Sequence, residues 1–230
     1  MACIILEARN APLQFLLSLQ PRMAEAFEKL EGRPRPTWFA TSDPPARRLG
    51  SGGGTAHLLA EAWRATGAGR SFSAWLNAER KVIVHGGGQN RRLPAYAPTG
   101  TVLMPFPVLR WAHGQRLDQT LLDAQLPGYE RLLEQAPPGI VAMVASGDVL
   151  VRFSRDLPRL PEADVIGLGA WAPPEKAKDF GVFFAPRERP TELAFFLQKP
   201  APAQIIELAE NFLAMVDTGL HVLPSSSLTQ

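Results

Sequence analysis

The sequence predicts an α/β protein built on a central, mostly parallel mixed sheet that helices flank on both faces. Two observations lead to this fold class. Short apolar segments alternate along the chain with segments of helical periodicity, and the apolar segments show little strict two-residue alternation. Because 46% of the 230 residues are hydrophobic, the chain can bury one sizeable core. We therefore expect a single domain over residues 1–230, with two small domains as the alternative.

Each element follows from its local pattern. Apolar runs predict strands, in chain order, at 38–41, 81–84, 140–145, 164–168, 181–184, 193–197 and 215–223. Apolar residues at helical spacing predict helices at 22–30, 56–65, 118–126 and 202–212. We expect Thr55 to cap the helix at 56–65, and Pro127 to end or kink the helix that precedes it.

The charge distribution and the cysteine content argue against several classes of function. The chain carries 24 basic and 22 acidic residues, a net charge of +2, and the basic residues are scattered along it. This distribution argues against a nucleic-acid-binding or membrane-surface protein. The single cysteine, Cys3, excludes a disulfide framework and a thiolate metal cluster, and it fits a reducing compartment.

Targeting signals are weak in this sequence. The apolar residues 1–6 are too few for a signal peptide and lack a basic flank. No run approaches the ~18 apolar residues that cross a bilayer. We therefore expect a cytoplasmic protein without a membrane partner.

Two glycine-rich segments carry the strongest functional signal. Glycine leaves room for backbone N–H groups to close on an anion, and such segments beside regular structure often bind phosphate. The residues concerned are Gly50, Ser51, Gly52, Gly53, Gly54 and Thr55 in the first segment, and Gly86, Gly87 and Gly88 in the second. Neither segment matches a Walker A loop or the dinucleotide fingerprint, and a plain turn is the alternative for each.

Adjacent arginines strengthen the phosphate interpretation, because a guanidinium group binds phosphate bidentately. Arg91 and Arg92 follow the second glycine segment, and the pair Arg47 and Arg48 also suits a small anion. The two glycine segments, one of them followed by adjacent arginines, predict a polyphosphate ligand. A solvated surface position is the alternative for one of Arg91 and Arg92.

Two isolated carboxylates suggest a metal ion. Asp148 ends one apolar segment and Asp217 interrupts another. A carboxylate in such a place is costly unless it faces a cleft or a cation. Magnesium bound to a nucleotide typically takes one or two protein carboxylates. The alternative is that each aspartate caps a turn, since both lie in sequences that favour turns.

Other polar and aromatic residues give weaker signals. Lys199 follows an apolar segment and is either a binding cation or a surface lysine. The four histidines show no metal-ligand spacing. We expect core positions, rather than base-stacking platforms, for the tryptophans Trp63, Trp75, Trp111 and Trp171.

These segments together resemble the guanylyltransferase part of bifunctional fucokinase/fucose-1-phosphate guanylyltransferases, which are related to GDP-fucose pyrophosphorylases. The most specific matching stretches lie at 38–44 and 49–59. The others lie at 85–100, 105–108, 114–117, 145–148, 161–165, 197–200 and 217–219. The resemblance does not reach the β-helical and kinase regions of the family. We therefore expect a fragment or excised catalytic domain, with a fucokinase domain fused to it or associated with it in the parent protein.

The resemblance implies a Rossmann-like nucleotidyltransferase fold. It also implies a reaction in which GTP and fucose 1-phosphate give GDP-fucose and pyrophosphate with the help of magnesium. By the family's pattern, residues 50–55 cradle the nucleotide, while Arg91 and Arg92 hold its leaving phosphates. The remaining implied roles are magnesium binding by Asp148 and Asp217 and a contact to the sugar phosphate by Lys199.

One position departs from the family pattern. After Pro98-Thr99-Gly100 the family has a lysine, whereas this chain has Thr101. Losing one such charged contact to the transition state typically costs ~3–4 kcal/mol. Two competing hypotheses follow, namely a non-catalytic nucleotide-binding domain and a pyrophosphorylase for another base or sugar.

Overall fold

The computed structural model describes residues 13–19, 24, 38–86, 95, 101–106, 119–153 and 159–229. The chain divides into two compact units. The first comprises Met1–Asp164 with Val222–Gln230, and the second comprises Val165–His221. The predicted helix at 22–30 lies, apart from Ala24, outside the described residues.

A parallel sheet forms the centre of the first unit. Its strands are β1 (Leu13–Ser18), β2 (Trp38–Thr41), β3 (Arg80–His85) and β4 (Ile140–Ser146). They lie in the order β2-β1-β3-β4, and each neighbouring pair is parallel. The end of strand β8 (Phe212–Pro224) follows β4 in this order, with residues 222–224 belonging to the first unit.

Helices α1 (Gly50–Thr66) and α2 (Phe72–Ala78) cover one face of this sheet. Leu58, Leu59 and Ala62 of α1 pack in one buried cluster with side chains of the sheet and of α2; these are Leu16, Trp75, Leu76, Ile83, Val141 and Ala142. Strand alternation turns Phe15, Val82 and Met143 to the opposite face, where they are also buried. Burial on both faces explains why these strands are continuous apolar runs.

The prediction that α1 begins after Thr55 is wrong. The helix begins at Gly50, so the first glycine segment is helical and Thr55 lies inside the helix instead of capping it. Sequence propensity favoured a later start because glycine destabilises a helix by about 1 kcal/mol relative to alanine. Tertiary contacts described below override that propensity.

Helix α3 (Leu121–Glu134) also differs from the prediction. Thr120 and Asp123 form a capping box at its start, each side chain accepting a backbone N–H of the other residue. Pro127 does not end the helix. Buried Tyr129 and Leu133 continue the apolar stripe beyond it, and their burial outweighs the N–H that proline lacks.

The second unit is an antiparallel sheet with two short helices. It contains β5 (Ile166–Ala170), α4 (Pro174–Ala177), β6 (Gly181–Pro186), β7 (Phe195–Gln198), α5 (Pro202–Ala209) and most of β8. Strand β6 pairs antiparallel with both β7 and β8. Its core contains Ala177, Val182, Phe184, Ile205 and Val216. The α/β class and the mixed sheet are thus confirmed, although β6 pairs antiparallel rather than parallel with β7 and β8.

All seven predicted strands are present, with β5 and β7 starting two residues later than predicted. Strand β1 and helices α2 and α4 were missed. The β1 segment has only one residue of high strand propensity, Phe15, and therefore gives little local signal.

Trp75 is buried as predicted, but Trp171 is 70% exposed, so its predicted core position is wrong. Trp111 lies outside the described residues.

Lys81, in strand β3, is a buried cation in the core of the first unit. Its side chain is fully buried, and its Nζ donates to the carbonyl oxygens of Trp75 at 3.3 Å and Glu79 at 3.0 Å. The ammonium lies 4.6 Å from the centre of the Trp75 ring. Burial lowers the pKa of Lys81 from 10.5 to about 8, although the nearby Glu79 carboxylate opposes that shift.

We predict that Lys81→Met flattens the pH dependence of stability at alkaline pH. Between about pH 8 and 10.5 the unfolded chain binds the Lys81 proton more tightly than the folded chain does, so wild-type stability gains from rising pH. Methionine keeps most of the apolar stem and cannot titrate. Urea unfolding at several pH values tests this. The exposed Lys178→Met is the matched control, and equal slopes for wild type and Lys81→Met would contradict the prediction.

Candidate functional site

Four polar residues form a row at the carboxyl ends of the parallel strands. Ser18 of β1 is in register with Thr41 of β2 on one side and His85 of β3 on the other, and His85 is in register with Ser146 of β4. The segments after β2, β3 and β4 therefore leave the sheet at one edge. Ligands of open α/β sheets bind at this edge.

A cleft of about 670 Å³ opens at this edge. It lies against the ends of β1 and β3, the segment that follows β2, and the beginning of α1. The lining residues are Ser18, Leu19, Ser42, Asp43, Pro44, Pro45, Ala46, Arg47, Arg48, Gly50, Ser51, Gly54 and His85. The first glycine segment therefore faces a cavity of the size that small ligands occupy.

The segment between β2 and α1 brings charged side chains to the cleft. Arg47 and Arg48 are exposed and line it. The Arg47 N–H donates to the carbonyl of Pro44 at 3.0 Å, which closes a turn. The Asp43 carboxylate accepts the backbone N–H of Leu49, the residue before α1, at 3.2 Å. These contacts hold the arginine pair beside the start of the helix.

The beginning of α1 is suited to an anion. The first N–H groups of a helix have no partner within the helix, and the helix dipole adds partial positive charge there. The first turn of α1 contains no acidic residue. Gly50 has a φ of +71°, and a Cβ on Gly52 would meet no other atom within 4 Å. Gly50, Ser51 and Gly54 of this turn line the cleft.

Thr55 and His85 connect this helix to the sheet. Thr55 Oγ1 donates to the carbonyl of Ser51 at 2.9 Å and lies 2.8 Å from His85 Nε2. Burial lowers the pKa of His85, and the Asp43 carboxylate opposes that effect. Burial therefore favours the neutral imidazole.

Gly86 and Gly147 are positions of close backbone approach beside the cleft. A Cβ on Gly147 would lie 2.8 Å from the His85 carbonyl oxygen and 3.0 Å from Gly86 Cα. A Cβ on Gly86 would lie 2.5 Å from Leu19 Cδ2. The Gly147 N–H donates to the His85 carbonyl at 3.0 Å. At these two glycines, packing at the sheet edge already accounts for the absent side chain.

Asp148 lies at the same sheet edge. Its Oδ1 accepts a hydrogen bond of 2.7 Å from the Ser146 hydroxyl, and its side chain is exposed. The orientation of this carboxylate is therefore fixed by the last residue of β4. Its assignment as a magnesium ligand stays a prediction.

Asp217 and Lys199 lie in the second unit. Asp217 Oδ1 accepts the Gly219 N–H at 2.8 Å and lies 3.6 Å from His221 Nε2. Gly219 has a φ of +71°, and the bond to Asp217 holds the backbone at this glycine, which lies within the continuous strand β8. Lys199 is exposed after β7, and its N–H donates to the Phe180 carbonyl at 2.9 Å. Neither contact tests the predicted roles in metal and sugar-phosphate binding.

Part of the predicted site cannot be placed. Gly87, Gly88, Arg91 and Arg92 lie outside the described residues, and their assignments stay predictions.

A magnesium ion fits the donor chemistry of the first unit. The described part of the chain contains no cluster of three His, Cys, Asp or Glu side chains. Magnesium that binds substrate phosphates needs only one or two protein carboxylates and keeps several waters. Asp148, oriented by Ser146 and exposed at the sheet edge, is such a carboxylate.

Asp43 and His85 are the cleft residues that sequence reasoning missed. Both lie in stretches that resemble the family, at 38–44 and 85–100, but the sequence assigned neither of them a role. His85 reaches Thr55 across 30 positions of sequence. The Arg47-Arg48 pair did carry a signal, because a local run of basic residues suggested a small anion.

Comparison with known proteins supports the motif-based resemblance. The chain is 44% identical over 211 residues to an L-fucokinase/L-fucose-1-P guanylyltransferase from Bacteroides fragilis. The alignment covers 92% of this chain and 22% of that protein, so the chain spans less than a quarter of its relative's length. The resemblance predicted from the motifs is therefore confirmed.

Two further comparisons gave no match. No model of a protein family matches the chain, and no solved structure matches it. The Rossmann-like nucleotidyltransferase fold therefore stays a prediction. Within the described residues, no helix combines the length and the apolar character needed to cross a membrane.

We predict opposite effects of alanine at two glycines of this edge. Gly147→Ala forces a methyl group against fixed backbone atoms and should destabilise the fold by about 1–3 kcal/mol. Gly52→Ala meets open space within a helix and should be neutral or stabilise by up to about 1 kcal/mol. Urea unfolding of both variants measures the difference. Equal stabilities would show that the close approach at Gly147 relaxes freely.

Proposed function

We propose that this chain is a nucleotidyltransferase that transfers GMP from GTP to fucose 1-phosphate. The products are GDP-fucose and pyrophosphate. The observation that carries the proposal is the cleft in which Arg47 and Arg48 lie beside the open first turn of α1. The name of the 44% identical relative suggests the base and the sugar.

The proposed reaction depends more on neutralisation of phosphate charge than on a general base. The phosphate oxygen of the sugar phosphate is already an anion near neutral pH. It attacks the α-phosphorus of GTP, a new P–O bond forms, and the bond to the β-phosphate oxygen breaks with pyrophosphate as the leaving group. Holding two polyanions in line accounts for much of the acceleration of such a step.

Residues of the first unit supply this neutralisation in the proposal. The N–H groups of α1 bind phosphate oxygens, and Arg47 and Arg48 balance their charge. Asp148 would hold a magnesium ion, which would supply Lewis acidity and a template for the phosphates. The assignment of Asp217 as a magnesium ligand stays a prediction. Arg91, Arg92 and Lys199 remain the expected contacts to the leaving and sugar phosphates.

A coupled kinase is part of the same proposal. The relative's name joins a fucokinase to the guanylyltransferase. A kinase that phosphorylates the free sugar supplies the sugar 1-phosphate that this reaction consumes. We therefore propose that the chain works fused to, or beside, such a kinase.

We predict that wild-type protein with magnesium releases pyrophosphate from GTP only when a sugar 1-phosphate is present.

The double variant with Arg47→Ala and Arg48→Ala should bind GTP about tenfold more weakly or worse, because charge-assisted contacts are lost. Arg64→Ala is the matched control, since Arg64 is exposed in the last turn of α1. Calorimetry with GTP, ATP and UTP gives affinity and base preference. A double variant that binds GTP as tightly as Arg64→Ala would contradict the role of the cleft.

A non-catalytic nucleotide-binding domain is the second candidate, and Thr101 favours it. This residue stands where the family has a lysine that neutralises phosphate charge in the transition state. The residue begins a 3₁₀ turn, Thr101–Leu103, in the first unit.

Thr101→Lys separates the two candidates. If the chain is an enzyme limited by this position, we expect pyrophosphate release to rise by about two to three decades, the usual effect of one such charge contact. Thr101→Gln, which is long but neutral, is the control. GTP binding without pyrophosphate release in both wild type and Thr101→Lys, over a panel of sugar 1-phosphates, would support the non-catalytic domain.

A further inference from the structure

The first turn of α1 has little stability of its own. Four of the first five residues, Gly50, Gly52, Gly53 and Gly54, are glycines. Each glycine inside a helix is about 1 kcal/mol less favourable than alanine. Leu49, the residue before the helix, provides no side-chain cap. Contacts from outside the helix must therefore keep this turn helical.

The Thr55 hydroxyl, which lies inside α1, connects this turn to such a contact. It donates its proton to the Ser51 carbonyl at 2.9 Å, one turn earlier in the helix. Because a hydroxyl has a single proton, the 2.8 Å contact between Thr55 Oγ1 and His85 Nε2 is then a bond that His85 donates. The neutral imidazole thus carries its proton on Nε2, and Thr55 links the glycine turn to strand β3.

His85 is a rigid anchor for this link. Its backbone is in register with Ser18 and Ser146 on the two neighbouring strands. Its carbonyl accepts the Gly147 N–H at 3.0 Å. Its side chain is half-buried at the wall of the cleft and is close to Gly54, where an added Cβ would lie 3.7 Å from the ring carbon Cε1. Strand β3 therefore fixes where Thr55, and the turn before it, can sit.

We propose that Thr55 and His85 are positioning residues, which hold the glycine turn of α1 on the sheet so that its free N–H groups meet the nucleotide phosphates. The single proton of the Thr55 hydroxyl is used within the protein and is not available to a phosphate oxygen, so Thr55 acts through the turn and not by donating to the nucleotide. This inference rests on the proposed nucleotide site and adds His85 to it.

The test compares three threonine variants of the same helix. Thr55→Val removes the link and keeps the side-chain shape, and Thr55→Ser restores the hydroxyl. Thr66→Val is the matched control: Thr66 Oγ1 donates to the Ala62 carbonyl and takes part in bonds with Gln14 and Trp75, at the opposite end of α1. GTP affinity is measured by calorimetry, unfolding by urea, and the His85 ring nitrogens by ¹⁵N NMR.

We expect Thr55→Val to weaken GTP binding about 3- to 10-fold, the range that one hydrogen bond spans, and Thr55→Ser to restore most of it. Thr66→Val should lower stability while leaving GTP affinity within about twofold of wild type. The NMR spectrum of wild type should show the Nε2–H tautomer, with a shift of the ring nitrogens when GTP is added.

Three results overturn the inference. They are unchanged GTP affinity in Thr55→Val, an equal loss in Thr66→Val, and a wild-type protein that binds no GTP. A wild type that binds GTP but releases no pyrophosphate with any sugar 1-phosphate defeats only the proposed reaction. In that case the comparison of affinities still decides the role of Thr55 and His85.

Discussion

The parallel, in-register pairing of β2, β1, β3 and β4 is the constraint on which the rest of the site depends. Because Thr41, Ser18, His85 and Ser146 occupy one row, three segments that are distant in sequence leave the sheet together. Asp43 follows β2, and Asp148 follows β4. A slip of one residue in any pair would turn the buried side chains of that strand to the opposite face. The core and the cleft are therefore specified by the same register.

The start of α1 illustrates a conflict between local and tertiary preference. Its glycines disfavour a helix, and sequence reasoning accordingly placed the start at Ala56. Asp43, which accepts the N–H of Leu49, and His85, which contacts Thr55, decide otherwise. The same turn with alanines in place of its glycines would be more stable as a helix, so the glycines lower the local stability of α1. What they provide is an uncovered backbone beside the cleft.

Much of the fold could be predicted because its strands are locally distinctive. The runs at 81–84 and 140–145 are apolar throughout, as strands covered on both faces must be. Strand β1 carries no such signal, and only its place between β2 and β3 reveals it. The glycine segment predicted a phosphate site, and Arg47-Arg48 suggested a small anion. Asp43 and His85 could not be predicted, because their roles depend on contacts between residues that the fold alone brings together.

The two kinds of positive charge in the cleft would act differently in the proposed reaction. The side chains of Arg47 and Arg48 are exposed and can move together with a bound phosphate group. They therefore bind the substrate and the transition state about equally well. Such uniform binding lowers KM and does little for kcat. The N–H groups of α1 are fixed by the helix, and need no reorganisation when charge moves onto the leaving phosphates. The half-buried, neutral His85 is consistent with this difference between the arginines and the helix N–H groups. As a neutral donor to Thr55 it stiffens the turn without adding a third charge that would retain pyrophosphate after the transfer.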